Sequence, residues 1–92
     1  PAHCRRIVDE AVQAFGRLDI LVNNAAHQMT FDAAEEISDE EWDTTFRVNI
    51  HAMFYLVKAA LPHMQAGASI INTTSVQADS PSPNLLAYAS TK

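Results

Sequence analysis

Apolar side chains recur at helical spacing between Ala2 and Phe15. Ile7, Val8, Ala11, Val12 and Phe15 share one side, and Arg5, Arg6, Asp9, Glu10 and Gln13 take the other. This predicts a helix that stops at Gly16, a residue free to make the left-handed turn of a helix C-terminus. The run LDILV, Leu18 to Val22, is apolar apart from Asp19, which predicts a strand covered on both faces in a parallel sheet and leading into Asn23-Asn24-Ala25-Ala26. Ser38 then opens SDEE, where the serine can cap a helix and Glu41 can reach back as its capping-box partner. Trp42, Phe46, Ile50, Met53, Val57, Ala60, Leu61 and Met64 follow in a stripe that predicts a helix of about 25 residues, or ~40 Å. Pro62 should kink or fray its last turn. Val48, Phe54, Tyr55 and Ala59 lie off the stripe, so this helix needs neighbours on two sides. Beyond Gly67, SIINTTSV (Ser69 to Val76) is rich in β-branched residues and predicts a second strand. QADSPSPNLL reads as a loop, and AYASTK as the start of a helix.

The resulting order of helix, strand, long helix, strand, loop and helix start is that of an α/β fold with parallel strands. Two strands make too small a sheet to stand alone, and parallel strands normally carry helices on both faces. The 92 residues are therefore expected to form the middle of a larger domain, with an independent mini-domain as the competing account.

Composition narrows the function classes. Six basic against eleven acidic residues give a net charge of -5, the wrong sign for a nucleic-acid partner. The lone Cys4 excludes an internal disulfide and suits a reducing, cytoplasmic setting. No apolar run has the length of a membrane span, and the N-terminal residues lack a signal-peptide pattern. Only Gly16 and Gly67 are present, so there is no glycine-rich phosphate loop. His3, His27, His51 and His63 have no ligand-like spacing, and no metal site is expected.

Ligands of open α/β sheets bind beyond the carboxyl ends of the strands. Those ends are Asn23 to Ala26 and Thr74-Ser75-Val76, and the loop leading to Tyr88 departs from the same rim. Tyr88 and Lys92, four residues apart, would share one helix face. A free phenol titrates near pH 10, and a neighbouring ammonium favours the phenolate, so the pair suits proton transfer to or from an alcohol or carbonyl oxygen. Ser75 could hold that oxygen. Asn49 falls within the apolar stripe of the long helix, where a polar amide must find partners. Each signal has a plainer reading: a chance pair at helical spacing, a strand terminator, an amide bonded to nearby backbone, a simple turn. Their order and combination favour chemistry.

LDILVNNAA, the VNI of the long helix, SIINTTS and YASTK, in that order, closely resemble the short-chain dehydrogenase/reductase family across essentially the whole chain. NNAAHQ, MFYLVKAALPHM and SIINTTSV resemble more particularly its glucose/ribitol dehydrogenase-like branch. The resemblance implies a partial Rossmann-like, doubly wound parallel sheet in three αβα layers, and hydride transfer between NAD or NADP and a small alcohol or carbonyl substrate. It implies that Tyr88 is the general acid or base, that Lys92 tunes it and holds the nicotinamide ribose, that Ser75 orients the substrate oxygen, and that Asn49 supports a proton-relaying water. Asn24, Ala25 and Ala26 match the segment that lies against the cofactor, with Ala26 where glycine is usual, and His27 and Gln28 follow it toward the substrate. Residues 1–92 would be the central part of one nucleotide-binding domain, without its N-terminal glycine-rich unit and C-terminal substrate region. The isolated chain would then be inactive, with Tyr88 and Lys92 poorly held in register, and the full-length form a dimer or tetramer through the long helix. Two other classes compete. A non-catalytic association module has no need of Tyr88 with Lys92, and a serine hydrolase lacks the GxSxG elbow around Ser75.

Overall fold

A computed structural model describes all residues, Pro1 to Lys92, and divides them into two compact units, Pro1–Asn24 with Ala52–Thr73, and Ala25–His51 with Thr74–Lys92. In the first unit, helix α1 (Ala2–Phe15) ends as its pattern predicts, with Gly16 left-handed at φ 80° and its N–H donating to the Val12 carbonyl. Strand β1 (Ile20–Asn23) pairs in parallel with the later strand β2 (Ser69–Asn72), in a register that sets Ile20 opposite Ser69 and Asn23 opposite Asn72. Helix α3 (Ala52–Ala60) packs against both α1 and β1, with Val8 and Ala60 buried. Its end tightens into a 3-10 turn at Leu61–His63, where Pro62 lacks the N–H needed to continue an α-helix.

The expectation of a sheet covered on both faces is not met within these residues. Ile20, Val22 and Ile71 are 61, 53 and 53% exposed. Alternation along the strands puts them on one face, which the helices of the first unit leave open.

In the second unit, helix α2 (Asp39–Phe46) begins on Ser38, whose hydroxyl accepts from the Glu41 N–H at 3.0 Å. The capping box is only half made, because Glu41 uses its carboxylate on His27. The expected unbroken helix of about 25 residues is also corrected: α2 passes into a π turn at Arg47–His51 before α-helical bonding resumes at Ala52. A 3-10 turn at Val76–Ala78 and another at Pro83–Leu85 shape the loop that leads to helix α4 (Leu86–Ser90), and α4 packs on α2 with Leu85, Ala87 and Thr91 buried. The Phe31 N–H donates to the Asn84 carbonyl at 2.9 Å, tying the stretch before α2 to this loop. No helix is long and apolar enough to cross a membrane.

Ser38→Ala removes the acceptor for the Glu41 N–H and is expected to lower stability by about 1 kcal/mol, read as a reduced urea midpoint at unchanged m-value.

Candidate active site around Tyr88

The four residues expected to carry the chemistry, Asn49, Ser75, Tyr88 and Lys92, all lie in the second unit. Asn49 sits in the π turn and is only 1% exposed. An amide so buried must satisfy both its ends or cost a few kcal/mol, and Asn49 does so fully. Its Oδ1 accepts from the His27 N–H at 2.7 Å, while its Nδ2 donates to the His27 carbonyl at 3.0 Å and to Thr91 Oγ1 at 2.9 Å. One side chain thus fixes the backbone after Ala26 and the end of α4 together. Thr45 is buried one turn earlier, its hydroxyl donating to the Glu41 carbonyl at 2.8 Å.

Thr91, which sequence reasoning missed, occupies the position between the two members of the Tyr-Lys pair. Its Oγ1 donates to the Tyr88 carbonyl at 2.6 Å as it accepts from Asn49. The available signal was Ala87 and Thr91 at helical spacing, two small side chains that let another helix approach closely. The Tyr88-Lys92 turn is held rather than loose: the Thr91 N–H donates to the Tyr88 carbonyl and the Lys92 N–H to the Ala89 carbonyl, at 3.0 and 3.1 Å. Lys92 Nζ lies 5.7 Å from the centre of the Tyr88 ring, within cation–π range.

Ser75 falls beyond the strand, since β2 ends at Asn72. It caps the 3-10 turn instead, its Oγ accepting from the Gln77 N–H at 3.2 Å, and α4 packs against that turn. The neighbouring Thr74 donates its hydroxyl to the Lys92 carbonyl at 3.1 Å. The Ser75, Asn49 and Tyr88 segments therefore meet through Thr91 and Lys92. Tyr88 and Lys92 are half-buried.

Of the residues expected against a cofactor, Asn24 belongs to the first unit, where its Oδ1 accepts from Thr73 Oγ1 at 2.9 Å. Ala25 and Ala26 are exposed in the second. No residue other than glycine has a positive φ, so alanine in place of glycine at position 26 carries no backbone strain. His27 Nε2 lies 2.6 Å from Glu41 Oε1, a half-buried pair that also orients the ring after this segment.

The sequence profile of the family described as short chain dehydrogenase matches residues 1–92, and the chain belongs to that family. It is 50% identical over 90 residues to the NADPH-dependent aldehyde reductase 1, chloroplastic, of Arabidopsis thaliana, covering 98% of this chain and 31% of that protein. It is 46% identical over 90 residues to the glucose and ribitol dehydrogenase of Daucus carota, again covering 98% of this chain and 31% of the relative. The crystal structure of 3-ketoacyl-(acyl-carrier-protein) reductase from Brucella melitensis complexed with NADH superposes with a TM-score of 0.90 at 32% identity, over 98% of this chain and 40% of that one. The chain thus spans about a third of the length of the curated relatives it matches.

Asn49→Ala strands the His27 N–H and carbonyl and the Thr91 hydroxyl, and is expected to cost about 3 kcal/mol by chemical denaturation. Asn49→Asp keeps the acceptor for the His27 N–H but sets a buried carboxylate oxygen against the His27 carbonyl and the Thr91 oxygen, and should lose at least as much.

Proposed function

We propose that the chain is the central part of an NAD(P)-dependent oxidoreductase that interconverts an alcohol and a carbonyl compound, with Tyr88 as general acid and base. The observation that carries this is the buried Asn49–Thr91 bond, which anchors the residue between Tyr88 and Lys92 while the Lys92 ammonium lies against the Tyr88 ring. A pure scaffold has no need of Tyr88 paired with Lys92.

Ala25, Ala26, Tyr88 and Lys92 of the second unit would hold the nucleotide. They fit such a group, because the exposed Ala25 and Ala26 carry small side chains that leave their backbone open, and Tyr88 and Lys92 offer a hydroxyl and an ammonium at half-buried positions. Bound NAD or NADP supplies or accepts the hydride. In the reductive direction, the Tyr88 phenol gives its proton to the carbonyl oxygen, and the Lys92 ammonium offsets the negative charge left on the phenol oxygen. The Ser75 hydroxyl accepts from the Gln77 N–H, which leaves its own proton to donate to the same substrate oxygen. Asn49, in the widened helix turn, supports the water through which Tyr88 and Lys92 recover a proton.

The relatives act on aldehydes and sugars by name, which supports a small polar carbonyl or alcohol as substrate. Phe54 and Leu61, 61 and 55% exposed in and just after α3, support association of longer chains as dimers or tetramers. The lone Cys4 suits the cytoplasm.

In a full-length protein carrying this segment, Tyr88→Phe is expected to reduce turnover by about 10²–10⁴-fold with nucleotide affinity little changed. Retained turnover would favour a non-catalytic association module instead. The 92-residue chain alone is expected to show no saturable micromolar binding in fluorescence titrations with NADH and NADPH, and saturable binding would contradict its reading as an incomplete site.

A further inference from the structure

The loop between Ser75 and α4 borders an open pocket of about 380 Å³ lined by Gln77, Pro81, Ser82, Pro83, Leu86 and Ala89, among others. A polar clip spans this loop: Gln77 Oε1 accepts from the Ser82 N–H at 2.7 Å, and Gln77 Nε2 donates to Ser82 Oγ at 3.2 Å. Both ends of one amide are spent on one residue across the loop. At its own backbone, Gln77 donates its N–H to the Ser75 hydroxyl at 3.2 Å. Ser82 in turn precedes the Pro83–Leu85 turn, and the Leu85 N–H donates back to the Ser82 carbonyl at 3.0 Å as the chain enters α4. Gln77 thus touches the Ser75 turn with its backbone and the approach to Tyr88 with its side chain.

Resting on the oxidoreductase reading above, we propose that Gln77 is a positioning residue that sets the spacing between Ser75 and Tyr88. Both hydroxyls must reach one substrate oxygen, and a displacement of about 1 Å in such an arrangement can cost on the order of 10²-fold in rate. The two prolines restrict the loop but make no bond across it, and the clip supplies one, joining its two ends directly.

The test compares Gln77→Ala and Gln77→Glu with Tyr88→Phe in the full-length protein, reading kcat, nucleotide KM and hydrogen exchange at the Ser82 amide. Gln77→Ala is expected to speed Ser82 exchange and lower kcat, each by about tenfold, with nucleotide KM unchanged. Gln77→Glu should restore both to within about threefold, because a carboxylate accepts the Ser82 N–H with one oxygen and the Ser82 hydroxyl proton with the other. If the alanine variant does not fold, Gln77→Asn, one methylene too short to span the loop, is expected to show the same losses. Unchanged Ser82 exchange in Gln77→Ala overturns the proposal. So does a kcat within about twofold of the parent while Tyr88→Phe abolishes turnover, which leaves the oxidoreductase reading standing. Turnover retained by Tyr88→Phe overturns both.

Discussion

A buried amide that must be fully bonded is the constraint on which the site depends. Asn49 has almost no contact with water, so every hydrogen bond it gave up on folding has to be replaced inside the protein. The replacements are unusual in their reach. They join a residue 22 positions earlier and another 42 positions later in the chain, which makes the orientation of the segment after Ala26 and of the Tyr88-Lys92 turn a single problem with one solution. Loss of any one bond leaves a donor or acceptor without water or partner, so the arrangement is strongly preferred over nearby alternatives.

The local backbone serves that constraint. A regular helix would present Asn49 with its carbonyls engaged in the ordinary ladder, whereas the π turn at Arg47–His51 adds a residue to the ring and loosens it. Thr91 then extends that bond to the Tyr88-Lys92 turn. By donating to the Tyr88 carbonyl and accepting from Asn49, it carries the anchor to the turn that bears the phenol and the ammonium. Thr74 and Ser75 close the arrangement from the other side, the first through the Lys92 carbonyl and the second through its cap on the next turn.

Much of this was legible from residue pattern alone, and the failures have physical reasons. Helix α1 could be read to its last residue because Gly16 is both a periodicity break and the left-handed stop. The Ser38 cap was equally legible, but the use of Glu41 was not, since its choice of His27 over the Ser38 backbone is a tertiary decision. The π turn escaped notice because one extra residue in a helix barely disturbs an apolar stripe read at steps of three and four. The strands LDILV and SIINTTSV were found, yet their exposed face was not foreseen: apolar sequence states what a strand needs covered, not whether these 92 residues cover it. Asn49 stood out as a polar group on an apolar face, whereas Thr91 and Gln77 did not. Threonine beside a lysine and glutamine at the head of a proline-rich loop are ordinary surface choices until their partners are known.

The central claim is that the buried amide aligns Tyr88 and Lys92, the pair proposed to transfer the proton, through Thr91, and a double-mutant cycle on turnover tests it most directly. Asn49→Ala, Thr91→Val and their combination would be compared in a full-length protein carrying this segment. If the bond between them is the working link, the second substitution adds little once the first is made, and the double variant turns over about as fast as the slower single one. Losses that multiply independently would mean the two residues act separately, and the account would be wrong.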